Sequence, residues 1–295
     1  MEWLIFALIG QFLISFAVIF AKIIRTKVVK DTLVYFVYVG FISFFVVLVL
    51  IPIIGLEVQD KTFLLYAFLT TLPLALGTYF ILRAFSMEDA SKISIFLQVQ
   101  PVFVLILATI FLSEILTLKQ YTGFFIIFSG SLIASYRFNS FKKISKGFWF
   151  LMATNIFWAT HYIMAKYSYT VYGFWNTFIM VRIYFMVLSV IVLIYLINKQ
   201  RFKLHKILTK GTTFLWLNET MAVIALGFTQ YALSIGQASL VSIVRGTNAI
   251  FVLMLAYLFS KRLPALLKEE FNKKIISQKI IAIFLIIAGL VLINL

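Results

Sequence analysis

The sequence has no cysteine, four prolines, two histidines and only ten acidic residues in 295. Without thiols it can form no disulfide, no thiolate metal site and no cysteine nucleophile. His161 and His205 lie too far apart to make a helical ligand pair, so neither a metal nor a cofactor is expected. No GxxxxGK[ST] segment occurs, and with it goes a built-in ATPase. Glu2 is the one side-chain charge before Lys22, and no small-residue cleavage pattern follows the first apolar run, which is therefore expected to be retained.

What the chain has in abundance is apolar surface. It is 63% hydrophobic and 12% charged, with a mean hydropathy of +1.06; soluble domains average about half apolar and a quarter charged. Runs of about 20 apolar residues, enough for a helix to cross roughly 30 Å of hydrocarbon, recur from end to end. They predict spans at 3–21, 32–54, 62–86, 90–112, 119–136, 147–165, 172–197, 211–235, 238–259 and 275–294. The alternating ten-residue pattern of a membrane barrel is missing, and backbone in lipid must close its own hydrogen bonds. The expected fold class is all-α integral membrane, with ten transmembrane helices.

The net charge of +16 would suggest nucleic acid in a soluble protein, but the placement of the charge argues otherwise. Of 26 basic residues, 21 fall on one set of alternating connections; Lys61, Lys119 and Lys166 lie on the other face, and Arg182 and Arg245 lie inside spans. The positive-inside rule then places the basic loops in the cytoplasm and both termini outside, in the cell membrane. The bilayer is the expected partner, with no nucleic acid.

An internal repeat organises the spans. Ala84 to Ile115 and Ala232 to Leu263 align without a gap with 12 of 32 identities, among them Ser86 with Ser234, Ala90-Ser91 with Ala238-Ser239, and Ser94 with Ser242. The match extends to Ala21-Lys22 and Thr26 against Ala165-Lys166 and Thr170, and to Gly130 against Gly289. Two halves follow, 1–139 and 146–295, each with five spans. An odd number per half makes the copies cross the bilayer in opposite senses, as inverted five-helix repeats.

The chain resembles the drug/metabolite transporter superfamily, in particular the ten-helix EamA-type transporters. The residues that carry the resemblance are Ala90 and Ser91 at the entry to the fourth span, Pro101 after Gln98 and Gln100, the run Phe111-Leu112-Ser113-Glu114, and Gly123 with Gly130. The second half departs from this pattern, with Ala249 where Pro101 would stand and Arg262 where Glu114 would. The resemblance implies a central cavity lined by spans 1, 3, 4, 6, 8 and 9, and substrates among amino acids, nucleobases, sugars and other metabolites. Relatives often keep both termini in the cytoplasm; the charge bias here places them outside.

A charge at the centre of a span costs about 2.5–3.5 kcal/mol, so Arg182, Glu219 and Arg245 each need a partner or a wet cavity. They are candidate substrate-binding residues, or else structural ion pairs. Asn218 and Gln230 accompany Glu219 on the eighth span, where positions 219, 222, 226 and 230 share a face. A carboxylate kept out of water would suit a proton-coupled carrier. Arg245, Gly246, Thr247 and Asn248 interrupt the ninth span and overlay Leu97, Gln98, Val99 and Gln100 ahead of Pro101 in the fourth. Breaks at Pro101 and Gly246, matched between inverted halves, point to a substrate site, although such amides also serve as interhelical glue. Gln11, Ser15 and Lys22 form a stripe that Asn155, Ala159 and Lys166 repeat; the two lysines read as snorkelling interface residues. His161 falls off that stripe. Tyr169, with Tyr167, Tyr172 and Trp175, reads as an interfacial anchor, and residues 264–274 as a short helix on the cytoplasmic interface.

The expected function is secondary transport of a small polar or anionic metabolite by alternating access, with proton coupling left open and a homodimer kept open as an assembly. The alternatives are an intramembrane lipid-processing enzyme using Glu219 and His161, for which no nucleophile or metal constellation is found, or a passive channel or scaffold.

Overall fold

The computed structural model describes residues 2–24, 28–88, 90–135, 145–200, 210–259 and 273–294, and those residues are all-helical. The helices are α1 (Glu2–Ile23), α2 (Thr32–Ile54), α3 (Lys61–Ala84), α4 (Ala90–Leu97), α5 (Gln100–Phe111), α6 (Leu118–Ser135), α7 (Lys146–Tyr172), α8 (Phe174–Asn198), α9 (Lys210–Ile235), α10 (Ala238–Ile243), α11 (Asn248–Phe259) and α12 (Lys273–Asn294), with a 3-10 turn at Val244–Thr247. The expected interfacial helix at 264–274 lies outside the described residues.

Local chemistry sets several ends. Asp31 Oδ1 accepts from the Leu33 N–H at 2.9 Å to start α2, Asp60 Oδ1 accepts from Phe63 N–H at 2.6 Å to start α3, and Ser145 opens α7. Each carboxylate satisfies a free N–H at the positive end of the helix. Gly173, at φ +82°, is the single hinge residue between α7 and α8, a backbone conformation that side chains with a Cβ resist.

Four helices are long and apolar enough to cross a membrane by length and composition: α2, α3, α8 and Ser277–Asn294 of α12. The longer α7 and α9 are not among them, because they carry Asn155, His161 and Lys166, and Asn218, Glu219 and Gln230. Large apolar side chains such as Ile53, Ile110, Phe111 and Phe284 face outward, as a lipid-facing surface requires and a soluble one avoids.

Four pairings dominate the packing: α1 on α9, α3 on α7, α2 on α8 and α6 on α12. Exchanging α1, α2, α3 and α6 with α7, α8, α9 and α12 turns the first pairing into the second and leaves the other two unchanged. Along α1 and α9, Phe6 meets Tyr231 and Phe20 meets Phe214; along α3 and α7, Phe63 meets Tyr172 and Phe80 meets Phe157. Both pairs therefore run antiparallel. So do α6 and α12, where Gly123 faces Gly289 and Gly130 faces Ala282. Small residues let these two backbones approach closely, and in lipid such close packing is a principal attraction between helices.

One end of the bundle gathers the start of α3, the α7–α8 hinge and the α9–α10 connection. There the Glu57 N–H donates to Asn176 Oδ1 at 3.1 Å, and Gln59 Nε2 donates to the Tyr172 carbonyl at 3.4 Å. Glu114 accepts at the start of α10 from Ala238 N–H at 2.8 Å, Ser239 N–H at 3.1 Å and Ser239 Oγ at 3.0 Å.

Candidate functional site

The interrupted helices meet α1 and α7. In the first half, α4 ends at Leu97 and α5 begins at Gln100 with Pro101 in its first turn. Proline lacks an N–H and its ring excludes the carbonyl four residues back, so the chain restarts there instead of continuing. The break itself thus lies at Gln98 and Val99, just ahead of the proline. The Phe96 carbonyl at this break accepts from Val99 N–H at 3.1 Å and from Asn155 Nδ2 at 2.8 Å. In the second half the 3-10 turn separates α10 from α11, and Gly246 sits where a Cβ would stand 3.0 Å from Ile127 and 3.1 Å from Ser131 of α6. Asn248 Nδ2 donates to the Gln11 carbonyl at 3.2 Å. Gln11 and Asn155, paired by the repeat, each meet the broken helix of the other half.

Arg245 joins the two breaks. Its Nη1 donates to Gln100 Oε1, and its guanidinium lies over the Trp158 ring, 5.2 Å from the centroid. The Trp158 indole rests edge-on against Gly77 of α3, where a Cβ would stand 2.6 Å from Nε1. Tyr162, one turn further along α7, is within electrostatic reach of Arg245.

A second cluster follows on α7. Tyr169 OH donates to Gln230 Oε1 at 3.1 Å, Gln230 Nε2 donates to His161 Nε2 at 3.3 Å, and His161 Nδ1 lies 3.0 Å from the Thr70 carbonyl. A carbonyl only accepts, so these partners assign the imidazole proton to Nδ1 and leave Nε2 as the acceptor. Arg182 of α8, 3% exposed, stacks on Phe178 at 4.9 Å and lies within electrostatic reach of Tyr169 and His161. Its Nε has no hydrogen-bond partner. Among the described residues no carboxylate pairs with Arg182 or Arg245.

Glu219 is not their counter-ion. Its Oε1 accepts from Tyr35 OH of α2 at 2.6 Å and from Asn218 Nδ2 at 3.3 Å. Glu219 thus faces α2, whereas Gln230, three turns on, faces α7; the stripe expected on this helix serves two different neighbours. Gln98 Oε1, Asn155 Oδ1 and Asn218 Oδ1 are buried without partners, as is Arg182 Nε. Unmet buried polar atoms are expensive, about 1–3 kcal/mol each, and they mark where a polar ligand would bind favourably.

Two lysine and tyrosine expectations need correction. Lys166 does not snorkel: its Nζ donates to the Ser234 and Gly236 carbonyls at 3.1 and 2.8 Å, closing the end of α9. Tyr169 is buried in the cluster instead of anchoring at an interface. The side chain of Lys22 lies outside the described residues. Trp158, Tyr162, Thr70 and Tyr35 join the site without having been singled out in the sequence. The Asn155 stripe, continued at its own spacing of three and four, runs through Tyr162 and Tyr169.

A buried polar seam between helices with apolar, outward-facing surfaces fits a multi-pass membrane protein, and comparison with known proteins supplies a family likeness. Residues 1–136 match the EamA-like transporter family, within the drug/metabolite transporter superfamily. That family is one of transporters and not of enzymes. No curated protein matches the sequence. A solved structure described only as a crystal structure of a protein is similar over 97% of this chain and 95% of its own, with a TM-score of 0.70. At 11% identity that likeness concerns the fold alone.

Proposed function

We propose that the chain is a secondary transporter that moves a small polar or anionic metabolite across the cell membrane by alternating access. The observation that carries this reading is the pair of guanidiniums, Arg182 and Arg245, held among amide, phenol and ring groups with no carboxylate beside them among the described residues. A structural arginine in this setting would be expected to sit against an acid, since removing either partner of a buried pair is strongly destabilising.

In this reading α4 with α5, and α10 with α11, are single interrupted spans, so the chain crosses the bilayer ten times in two inverted halves. The exchange symmetry of the helix pairings and the antiparallel α6–α12 crossing support it. The halves rock around the seam, which each half reaches with one broken helix. The basic connections lie in the cytoplasm and both termini outside, as the charge bias argues. Glu219, held by Tyr35 and Asn218, is the carboxylate that would carry a proton.

Thermal melting of the purified chain against a metabolite library, followed by uptake into proteoliposomes, tests the proposal. The expected ligand stabilises the parent but neither Arg182→Gln nor Arg245→Gln, because binding to the folded state raises its apparent stability. Its uptake saturates and accelerates when the same ligand is loaded inside. Flux that rises linearly without saturation would establish a channel, and folded arginine variants with full uptake would remove both residues from the site.

A further inference from the structure

The geometry points to a ligand with two separate anionic groups, one for each arginine, an inference that rests on the carrier reading above. Arg182 and Arg245 form two distinct subsites. Each guanidinium has its own aromatic face, Phe178 for Arg182 and Trp158 for Arg245. Each has its own phenol on α7, Tyr169 for the first and Tyr162 for the second. Tyr162 and Tyr169 share a face of that helix seven residues apart, which a rise of 1.5 Å per residue makes about 10 Å. A single carboxylate bound at either end would leave the other guanidinium uncompensated, whereas two linked anionic groups neutralise both.

The other charged groups nearby are already committed. Lys166 donates to the Ser234 and Gly236 carbonyls and is within electrostatic reach of Glu114, which holds the start of α10. Glu219 is held by Tyr35 and Asn218 on the side of α9 that faces α2. The seam therefore presents two unmatched positive charges and no negative one among the described residues. The unpartnered Arg182 Nε adds a buried donor at one end, and the Gln100 amide adds a neutral group at the other. A guanidinium matches a carboxylate fork to fork, so the ligand class favoured is a short dicarboxylate.

The test uses the full chain in detergent at constant ionic strength set with sodium chloride. Melting temperatures are measured with the dicarboxylates malonate to adipate, with the monocarboxylates propionate to hexanoate of matching carbon number, and with glycerol 3-phosphate. At least one dicarboxylate is expected to raise the melting temperature while its monocarboxylate partner does not. Arg182→Gln and Arg245→Gln should each abolish that difference, and Arg182→Lys and Arg245→Lys, which keep the charge, should retain part of it if the glutamine variants do not fold. Equal stabilisation by a monocarboxylate would overturn the inference. So would stabilisation by glycerol 3-phosphate that survives loss of one arginine, a dicarboxylate shift unchanged in folded variants, or no shift with any of these anions. The carrier reading fails separately: a dicarboxylate that binds yet shows no saturable counterflow refutes transport, and counterflow of a neutral metabolite refutes only the dianion.

Discussion

Adding one methyl group at Gly289 should loosen the crossing of α6 and α12. A Cβ there would stand 2.5 Å from Ile127 Cγ1 and 2.7 Å from the Gly123 carbonyl oxygen, against the 3.4 Å at which ordinary contact begins. Ile127 is fully buried, and a backbone carbonyl cannot rotate away, so the two helices must separate along their seam. Overpacking of this kind costs about 1–3 kcal/mol, from which the better helix propensity of alanine recovers about 0.5–1 kcal/mol. The net loss for Gly289→Ala, about 1–2 kcal/mol, corresponds to a fall of roughly 2–8 °C in melting temperature for a chain of this size. Gly227→Ala is the control, because a Cβ there would meet only Phe178 Cζ, at 3.8 Å, an ordinary contact. It should be neutral or mildly stabilising. Thermal melting of both variants by intrinsic fluorescence in detergent reads the contrast directly. If Gly289→Ala melts at or above the parent, the close approach of α6 and α12 is wrong.

Gly77→Ala should press on the Trp158 indole and displace it from beneath Arg245, lowering the melting temperature and weakening ligand binding about tenfold; ligand titration of the folded variant checks this. Glu219→Gln should abolish any acceleration of uptake by an imposed pH gradient while leaving exchange intact, and Tyr35→Phe, which removes the 2.6 Å donor, should weaken the same coupling; a gradient response that survives both excludes Glu219 as the proton carrier. Arg182→Lys keeps the charge but loses the planar group stacked on Phe178, so affinity should fall about tenfold or more by titration. Glu114→Ala removes three acceptor contacts at the start of α10 and should open that end of the bundle. Because the chain has no cysteine, Ser239→Cys, at a position that is fully buried, supplies a sole thiol whose labelling rate should rise when Glu114→Ala is added.

The positions of the helices were legible in the sequence because lipid imposes one length and one composition on whatever crosses it. The helix breaks were legible too, since Pro101 and the Arg245-to-Asn248 run violate apolar patterning at matched places in a repeat. The partners of the charged residues were not. Periodicity says which residues share a helix face but not which helix that face meets, so Glu219 and Gln230, placed on one stripe, turned out to serve α2 and α7 separately. Tyr169 looked like an end-of-span anchor because α7 continues past its apolar run, and only packing against α9 draws the phenol inward to Gln230.

By itself, then, the sequence determined an all-helical membrane protein with two helix breaks, since segments that cross hydrocarbon must be apolar and helical and the breaks stand out against them. Tertiary structure alone decided that α7 is the spine along which both arginines are arranged, that Glu219 goes to Tyr35 instead of to either of them, and that the matched residues Gln11 and Asn155 cross over to the opposite half. Those outcomes depend on contacts between helices distant in sequence, where a shift of one helix by a single turn would choose different partners at little cost in apolar burial.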